Sequence, residues 1–242
     1  ETSSLLRLSG GDARKLLNIF ELIINSQDSE EIIITDKVVL HIIQNNTMHY
    51  DKAGDQHYDI ISAFIKSIRG SDPNAAVYWL ARMVEGGEDV KFIARRLLIL
   101  ASEDIGNANP TALVIANNTF QAVSAIGYPE SRIILSQCTT YLACSPKSNA
   151  AYKAIDKAQK IIKETGDLSV PLEIRNAPTK LMKELGYGDN YKYAHSFEND
   201  FANQEFMPDS IKGSVFYDPG NNSREIAYRE FLKKRWKDKY GY

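Results

Sequence analysis

Two helix breaks set close together in one apolar stretch constrain this chain more than anything else in it. Between Tyr58 and Pro110 apolar residues recur at helical spacing in three sets, separated by residues that cannot continue a helix. The sets are Tyr58, Ile61, Phe64, Ile65 and Ile68; Ala76, Trp79, Leu80, Met83 and Val84; and Ile93, Leu97, Leu100 and Ala101. Gly70-Ser71-Asp72-Pro73 offers a glycine for a left-handed residue, an N-cap oxygen, and a proline whose missing N–H costs nothing at the first helical position. Gly86-Gly87-Glu88-Asp89 ends the second helix and sets acids at the positive start of the third. Connections this short make neighbouring helices pack on one another, so the expected fold class is all-α.

With 242 residues, 43% of them hydrophobic, the chain can bury roughly 70% of its unfolded surface. A formal net charge of -2 argues against a wholesale nucleic-acid binder and leaves room for a local basic patch. No apolar run approaches the roughly 20 residues that span a bilayer, so no membrane partner is expected. Cys138 and Cys144 are wrongly spaced for a zinc pair and are expected to be buried reduced thiols, which suits a reducing cytoplasm. The chain begins at Glu1 with a helix-entry signal close behind, and is expected to be the carboxy-terminal region of a longer protein.

The first predicted helix enters at Gly10-Gly11-Asp12-Ala13-Arg14, carries Leu16, Leu17, Phe20, Ile23 and Ile24, and ends near Asn25. Glycines at a helix start can receive an anion; a capped helix with a flexible entry is the commoner reading, and GxxxxGK[ST] is absent from the chain. Ile32-Ile33-Ile34 reads as extended, and Thr35-Asp36 caps a second helix with Val39, Ile42 and Ile43. The polar stretch from Gln44 to Gln56 suggests a subdomain boundary, dividing the chain into 1–50, 51–166 and 167–242. His41, His49 and His57 form no familiar ligand pair and read as solvated or capping residues.

Beyond the third central helix, Glu103 and Asp104 are expected to serve in capping, and Asn109 to cap a helix that Pro110 begins. That helix carries Leu113, Val114, Ala116, Phe120, Val123 and Ile126; the next carries Ile133, Ile134, Gln137, Cys138, Tyr141 and Leu142. Ser145-Pro146-Lys147-Ser148 turns into a sixth, with Ala151, Ala154, Ile155, Ala158, Ile161 and Ile162 on one face, where the alanines permit close helix approach within a core or between subunits, and Lys153, Lys157, Lys160 and Lys163 on a solvated face. From Gly166 the chain becomes irregular around a short helix through Leu181, Met182 and Leu185, where Arg175, Lys180 and Lys183 gather positive charge. Tyr187, Tyr191, Tyr193 and His195 follow in a glycine-containing loop. Aromatics among cations can stack on single-stranded nucleic acid, or can staple an irregular tail to a helical core, which is the favoured reading here. A last helix, from Arg224 to Lys239, is rich in cations, among them Lys233, Lys234 and Arg235.

Five blocks in order, namely Gly10-Gly11-Asp12-Ala13-Arg14, Ile61 to Met83, Ala94 to Pro110, Tyr141 to Tyr152 and Arg175 to His195, resemble the replication-associated recombination protein A family, also called MgsA. These are AAA+ ATPases similar to clamp loaders and to Werner-helicase-interacting protein. The resemblance implies an absent ATPase core that would bind ATP and Mg, with this chain supplying the end of the helical lid and a clamp-loader-like oligomerisation domain, and holding no cofactor of its own. It implies a homo-tetramer, a cytoplasmic and nucleoid-associated parent acting on DNA at stalled forks, and association with single-stranded-DNA-binding protein. Arg14 resembles the sensor-2 arginine that reaches the γ-phosphate. No catalytic residue and no metal ligand is expected in the chain itself. Arg175, Lys180, Lys183, Lys233, Lys234 and Arg235 are the candidates for DNA or partner contact. A helical binding scaffold without an ATPase is the alternative, and a helical enzyme using Glu103, Asp104 or His195 is the least supported.

Overall fold

A computed structural model describes residues 2–11, 13–27, 32–50 and 55–242, without the side chains of residues 14–15, 44–50, 55–57 and 238. Helices are its only regular elements, and no strand occurs among the described residues. Three helices form an opening unit: α1 (Ser3–Ser9), α2 (Ala13–Asn25) and α3 (Asp36–Tyr50). Their shared core is Leu5, Ile19, Ile23 and Val39. Thr35 Oγ1 accepts from Val38 N at 3.2 Å, the expected cap, while Asp36 Oδ1 accepts from Ser4 N at 2.7 Å and ties α1 to α3. The short α1 was not foreseen, and the polar stretch after Gln44 continues α3 as far as Tyr50.

The main core lies among α4 (Asp55–Arg69), α5 (Pro73–Glu85), α6 (Val90–Leu100), α7 (Thr111–Ile126) and α8 (Ser131–Ala143). Phe64, Ile68, Ile93, Leu97, Leu135 and Leu142 are fully enclosed there. The two breaks do their expected work, with one change of residue. Asp72 Oδ1 accepts from Asn74 N at 3.0 Å and Ala75 N at 2.9 Å, capping a helix that starts at Pro73. The left-handed residue is Ser71, at φ 61°, rather than Gly70. Gly70 serves close approach instead, because a Cβ there would stand 3.1 Å from the Lys66 carbonyl oxygen. Asp89 caps α6 by accepting from Lys91 N at 2.9 Å.

Between α6 and α7 the backbone widens into a π-helical turn (Ala101–Ile105) and then tightens into a 3₁₀ turn (Gly106–Ala108). Helix α9 (Ala150–Thr165) leaves the bundle from this point and contacts it at the π-helical and 3₁₀ turns. The remainder is largely irregular, carrying α10 (Lys180–Glu184) and α11 (Ser223–Trp236).

Several expectations fail where the chain leaves the bundle. Asn109 does not cap α7: its Nδ2 donates to Tyr141 Oη at 3.0 Å and to Ser145 Oγ at 3.1 Å, bracing α8 instead. Cys138 is buried as expected, but Cys144 is exposed at the end of α8; both are free thiols. Tyr58, Leu113, Val114, Ile126, Ile133, Ile155 and Ile162 have helical spacing yet lie exposed. Burial among α4–α8 goes to one face of each helix, and the first five of these residues fall outside it, while Ile155 and Ile162 lie on α9, whose buried residue is Ala150.

Candidate functional site

The end of α4 and the π-helical turn are clamped together by Arg69. Its Nε donates to Asp104 Oδ1 at 2.6 Å and its Nη2 to Glu103 Oε1 at 3.3 Å. The Asp104 side chain is only 9% exposed, whereas Arg69 is 46% exposed and wet on its outer side. The hydrogen bond to Asp104 raises the guanidinium further above its ordinary pKa. The two acids therefore hold Arg69 and do not cap a helix. Asp104 also contributes its carbonyl oxygen, which accepts from Ser148 N at 2.7 Å and directs the entry to α9.

Lys147 completes the joint. Its Nζ donates to the Leu142 carbonyl at 3.1 Å, the Ala143 carbonyl at 2.9 Å and Ser71 Oγ at 3.0 Å, satisfying the end of α8 and reaching back to the α4–α5 turn. Burial pushes this ammonium below its usual range. Gly106, at φ 47°, lets the strand of chain before α9 come close: a Cβ there would sit 3.2 Å from the Ser148 carbonyl oxygen.

The joint splays α9 away from α6 and α7, opening an apolar groove of about 960 Å³. Leu98 and Ile99 from α6, Leu113 and Val114 from α7, and Tyr152 and Ile155 from α9 line it, with Ser102, Glu103 and Asn117 as polar groups. Asp156, close by, raises the Tyr152 hydroxyl above its usual pKa. Leu113, Val114 and Ile155 have the helical spacing read from the sequence, and the surface they occupy is uncovered.

The predicted site residues do not converge. Arg14 lies in the first turn of α2, and its side chain falls outside the described residues. Arg175 turns inward, its Nε donating to the Val170 carbonyl at 2.7 Å and its Nη1 to Tyr187 Oη at 3.1 Å, with the guanidinium 5.0 Å from the Tyr187 ring centroid. Lys180 and Lys183 are exposed on α10, Lys180 within 3.8 Å of Glu184. Lys233 and Lys234 are exposed in the last turn of α11, while Arg235 lies 3.5 Å from the Phe231 ring centroid and donates to the Asn199 carbonyl at 3.2 Å.

Of the tyrosines expected to staple the tail to the helical core, Tyr187 accepts from Arg175 within the tail itself, and Tyr191 and Tyr193 stand exposed. His195 Nδ1 sits 3.0 Å from Asp200 Oδ1 in the same exposed loop. A second cluster holds parts of the tail to one another. Trp236 takes edge contacts from Phe201, Phe206 and Tyr240, and Lys239 Nζ lies 4.6 Å from its ring centroid while pairing with Glu205 at 3.1 Å. The tie to the bundle runs through the fully buried Glu225, which accepts from Tyr217 Oη at 3.2 Å and Asn222 Nδ2 at 2.5 Å; Tyr217 Oη in turn accepts from Asn107 Nδ2 at 3.3 Å. Burial raises the Tyr217 hydroxyl above its ordinary pKa. The Asn222-x-x-Glu225 spacing of a capping box was the available signal for this tie.

Among the described residues no group of three or more His, Cys, Asp or Glu could hold a metal ion, and no helix is long and apolar enough to cross a membrane. The described residues thus form an all-helical bundle with a splayed apolar groove between α6, α7 and α9. Residues 70–236 match the family described as MgsA AAA+ ATPase C terminal, and residues 1–69 match a family described as AAA C-terminal domain. The chain belongs to the MgsA AAA+ ATPase C-terminal family. It is 41% identical to the replication-associated recombination protein A of Coxiella burnetii over 95% of this chain and 53% of that protein. The protein of the same name from Escherichia coli K12 is 41% identical over 95% of this chain and 52% of its own length. A more distant relative, ATPase WRNIP1 of Dictyostelium discoideum, is 36% identical over 89% of this chain and 27% of its own. The chain spans about half the length of the bacterial relatives it matches.

Proposed function

We propose that this chain is the assembly module of a AAA+ ATPase that acts in DNA replication, recombination and repair. Residues 1–50 are the end of the ATPase lid, 51–166 the oligomerising bundle and 167–242 the tail bound to it, in a homo-tetramer whose missing cores bind ATP and Mg. The observation that carries this reading is α9. Its sequence is amphipathic at helical spacing, yet Ala150 is its one buried residue and Ile155 and Ile162 remain more than half exposed. An apolar stripe left in water on a helix this regular calls for a covering partner. The names of the relatives supply the DNA-linked setting.

Arg14 is the nucleotide-sensing group of this reading, and the exposed Lys180, Lys183, Lys233 and Lys234 are the DNA contacts. Arg175 and Arg235 are already engaged within the chain and contribute by holding the tail. The test is co-assembly: tagged chain mixed with the full-length parent is expected to form mixed oligomers, recovered on the tag. Separate recovery of the two after prolonged mixing would overturn the assembly role. In the parent, Arg14→Ala is expected to depress ATP turnover without changing assembly, and unchanged turnover removes the sensor role.

A further inference from the structure

A quarter of this chain is charged, yet residues 105–129 contain no Asp, Glu, Lys, Arg or His. This stretch includes all of α7. One face of α7 packs inward through Ala112, Ala116, Thr119 and Val123. The opposite face, with Leu113, Val114, Asn117, Asn118, Gln121 and Ala125, lies in solvent without a charge. Surface helices ordinarily place charges outward, and loss of charge with retention of large apolar groups marks the centre of an interface.

We propose that this face of α7 docks against a second copy of the chain about a two-fold axis, α7 of each copy entering the groove between α7 and α9 of the other. The inference rests on the assembly role above and names its surface. Charge selects the occupant. At a two-fold contact every residue near the axis meets its own kind, so any charge there is opposed by a like charge, and an uncharged face is what self-contact requires. A nucleic-acid partner would call for cations, and α7 has none. A partner of fixed charge would call for the opposite sign, which is equally missing.

The size fits. α7 has 16 residues, about 24 Å of helix. Ile99, Leu113, Val114, Tyr152 and Ile155 are each about half exposed. Side chains of this size left half open offer on the order of 100 Å² apiece, so together they supply most of the roughly 800 Å² per partner found in stable complexes. The uncharged polar residues of α7 bring the remainder.

The experiment places a charge on the face and then balances it. Val114 is 58% exposed, so Val114→Glu and Val114→Lys should keep the wild-type helical circular dichroism. Each variant of this chain is expected to lose at least half of the wild-type assembly mass in light scattering, and an equimolar mixture of the two to regain it. Assembly of the wild type together with unchanged assembly of both variants would overturn the α7 face while leaving the assembly role standing. Dissociation without recovery on mixing would overturn the two-fold arrangement. A wild type that is monomeric at every concentration would overturn both the assembly role and this surface.

Discussion

Replacing Arg69 with methionine removes the clamp between α4 and the π-helical turn while keeping the aliphatic length of the side chain. The loss is worked from three observations. The 2.6 Å bond to Asp104 is charge-assisted, a type that nets about 1.5–3 kcal/mol. The longer bond to Glu103, itself 34% exposed, adds little. Against this, Arg69 is 46% exposed, so water already competes for its guanidinium, and the lower half of the range applies. What remains is a buried carboxylate whose other oxygen, Oδ2, is also enclosed without a protein partner. Arg69→Met is therefore expected to cost about 2 kcal/mol, or roughly 4–8 °C in Tm for a chain of this size. The asymmetry between the partners is the sharper prediction. Asp104→Asn keeps an acceptor for Arg69 and should cost less than Arg69→Met; in the Arg69→Met background it should be neutral or stabilising, because it removes an unpaired buried charge. Urea unfolding of the two single variants and the double variant completes the cycle. A loss below about 0.5 kcal/mol for Arg69→Met, or costs that simply add in the double variant, would refute the clamp.

Two further predictions concern the bundle. Burial pushes the Cys138 thiol up to about 11 from its ordinary value of 9.0. The protonated thiol is favoured in the folded state, so its contribution is complete below pH 9 and disappears as pH rises through 11, a loss of about 2–3 kcal/mol. Stability measured across that window is expected to fall less in Cys138→Ala than in the wild type, and an unaltered pH dependence would contradict the burial effect. At pH 8 a thiol-modifying reagent should label exposed Cys144 roughly 100-fold faster than Cys138. Asp72→Ala removes the acceptor for Asn74 N and Ala75 N at the start of α5, and is expected to cost about 1 kcal/mol in denaturant unfolding; Asp72→Asn should restore most of it.

The centre of the fold was legible because local chemistry and burial agree there. The N-cap at Asp72, the break at Gly86-Gly87, and the buried Phe64, Leu80, Ile93 and Leu97 follow from spacing and turn residues alone. Agreement ends at α7 and α9, where apolar spacing forms the helices correctly but cannot say what covers Val114 or Ile155. Periodicity shows that a face is apolar and is silent on whether its partner lies in the same chain. The charge-free run 105–129 was readable as composition, but it gained meaning once α7 was seen to turn that run outward. The Arg69 clamp and the Glu225 tie were hidden for another reason. Arg69 reaches Asp104 across 35 positions, Asn107 reaches Tyr217 across 110, and no local pattern encodes such pairs. Arg175 was read as a surface cation by its type, whereas the fold places a tyrosine ring and a carbonyl within its reach.

The measurement that bears most directly on the whole account is the solution mass of this chain and of its full-length parent, by light scattering behind a sizing column over a range of concentrations. The account predicts the same subunit count, four, for both, with the helical region alone sufficient to hold the assembly. A parent that assembles while this chain stays monomeric at every concentration would contradict it and move the assembly contacts to the ATPase core.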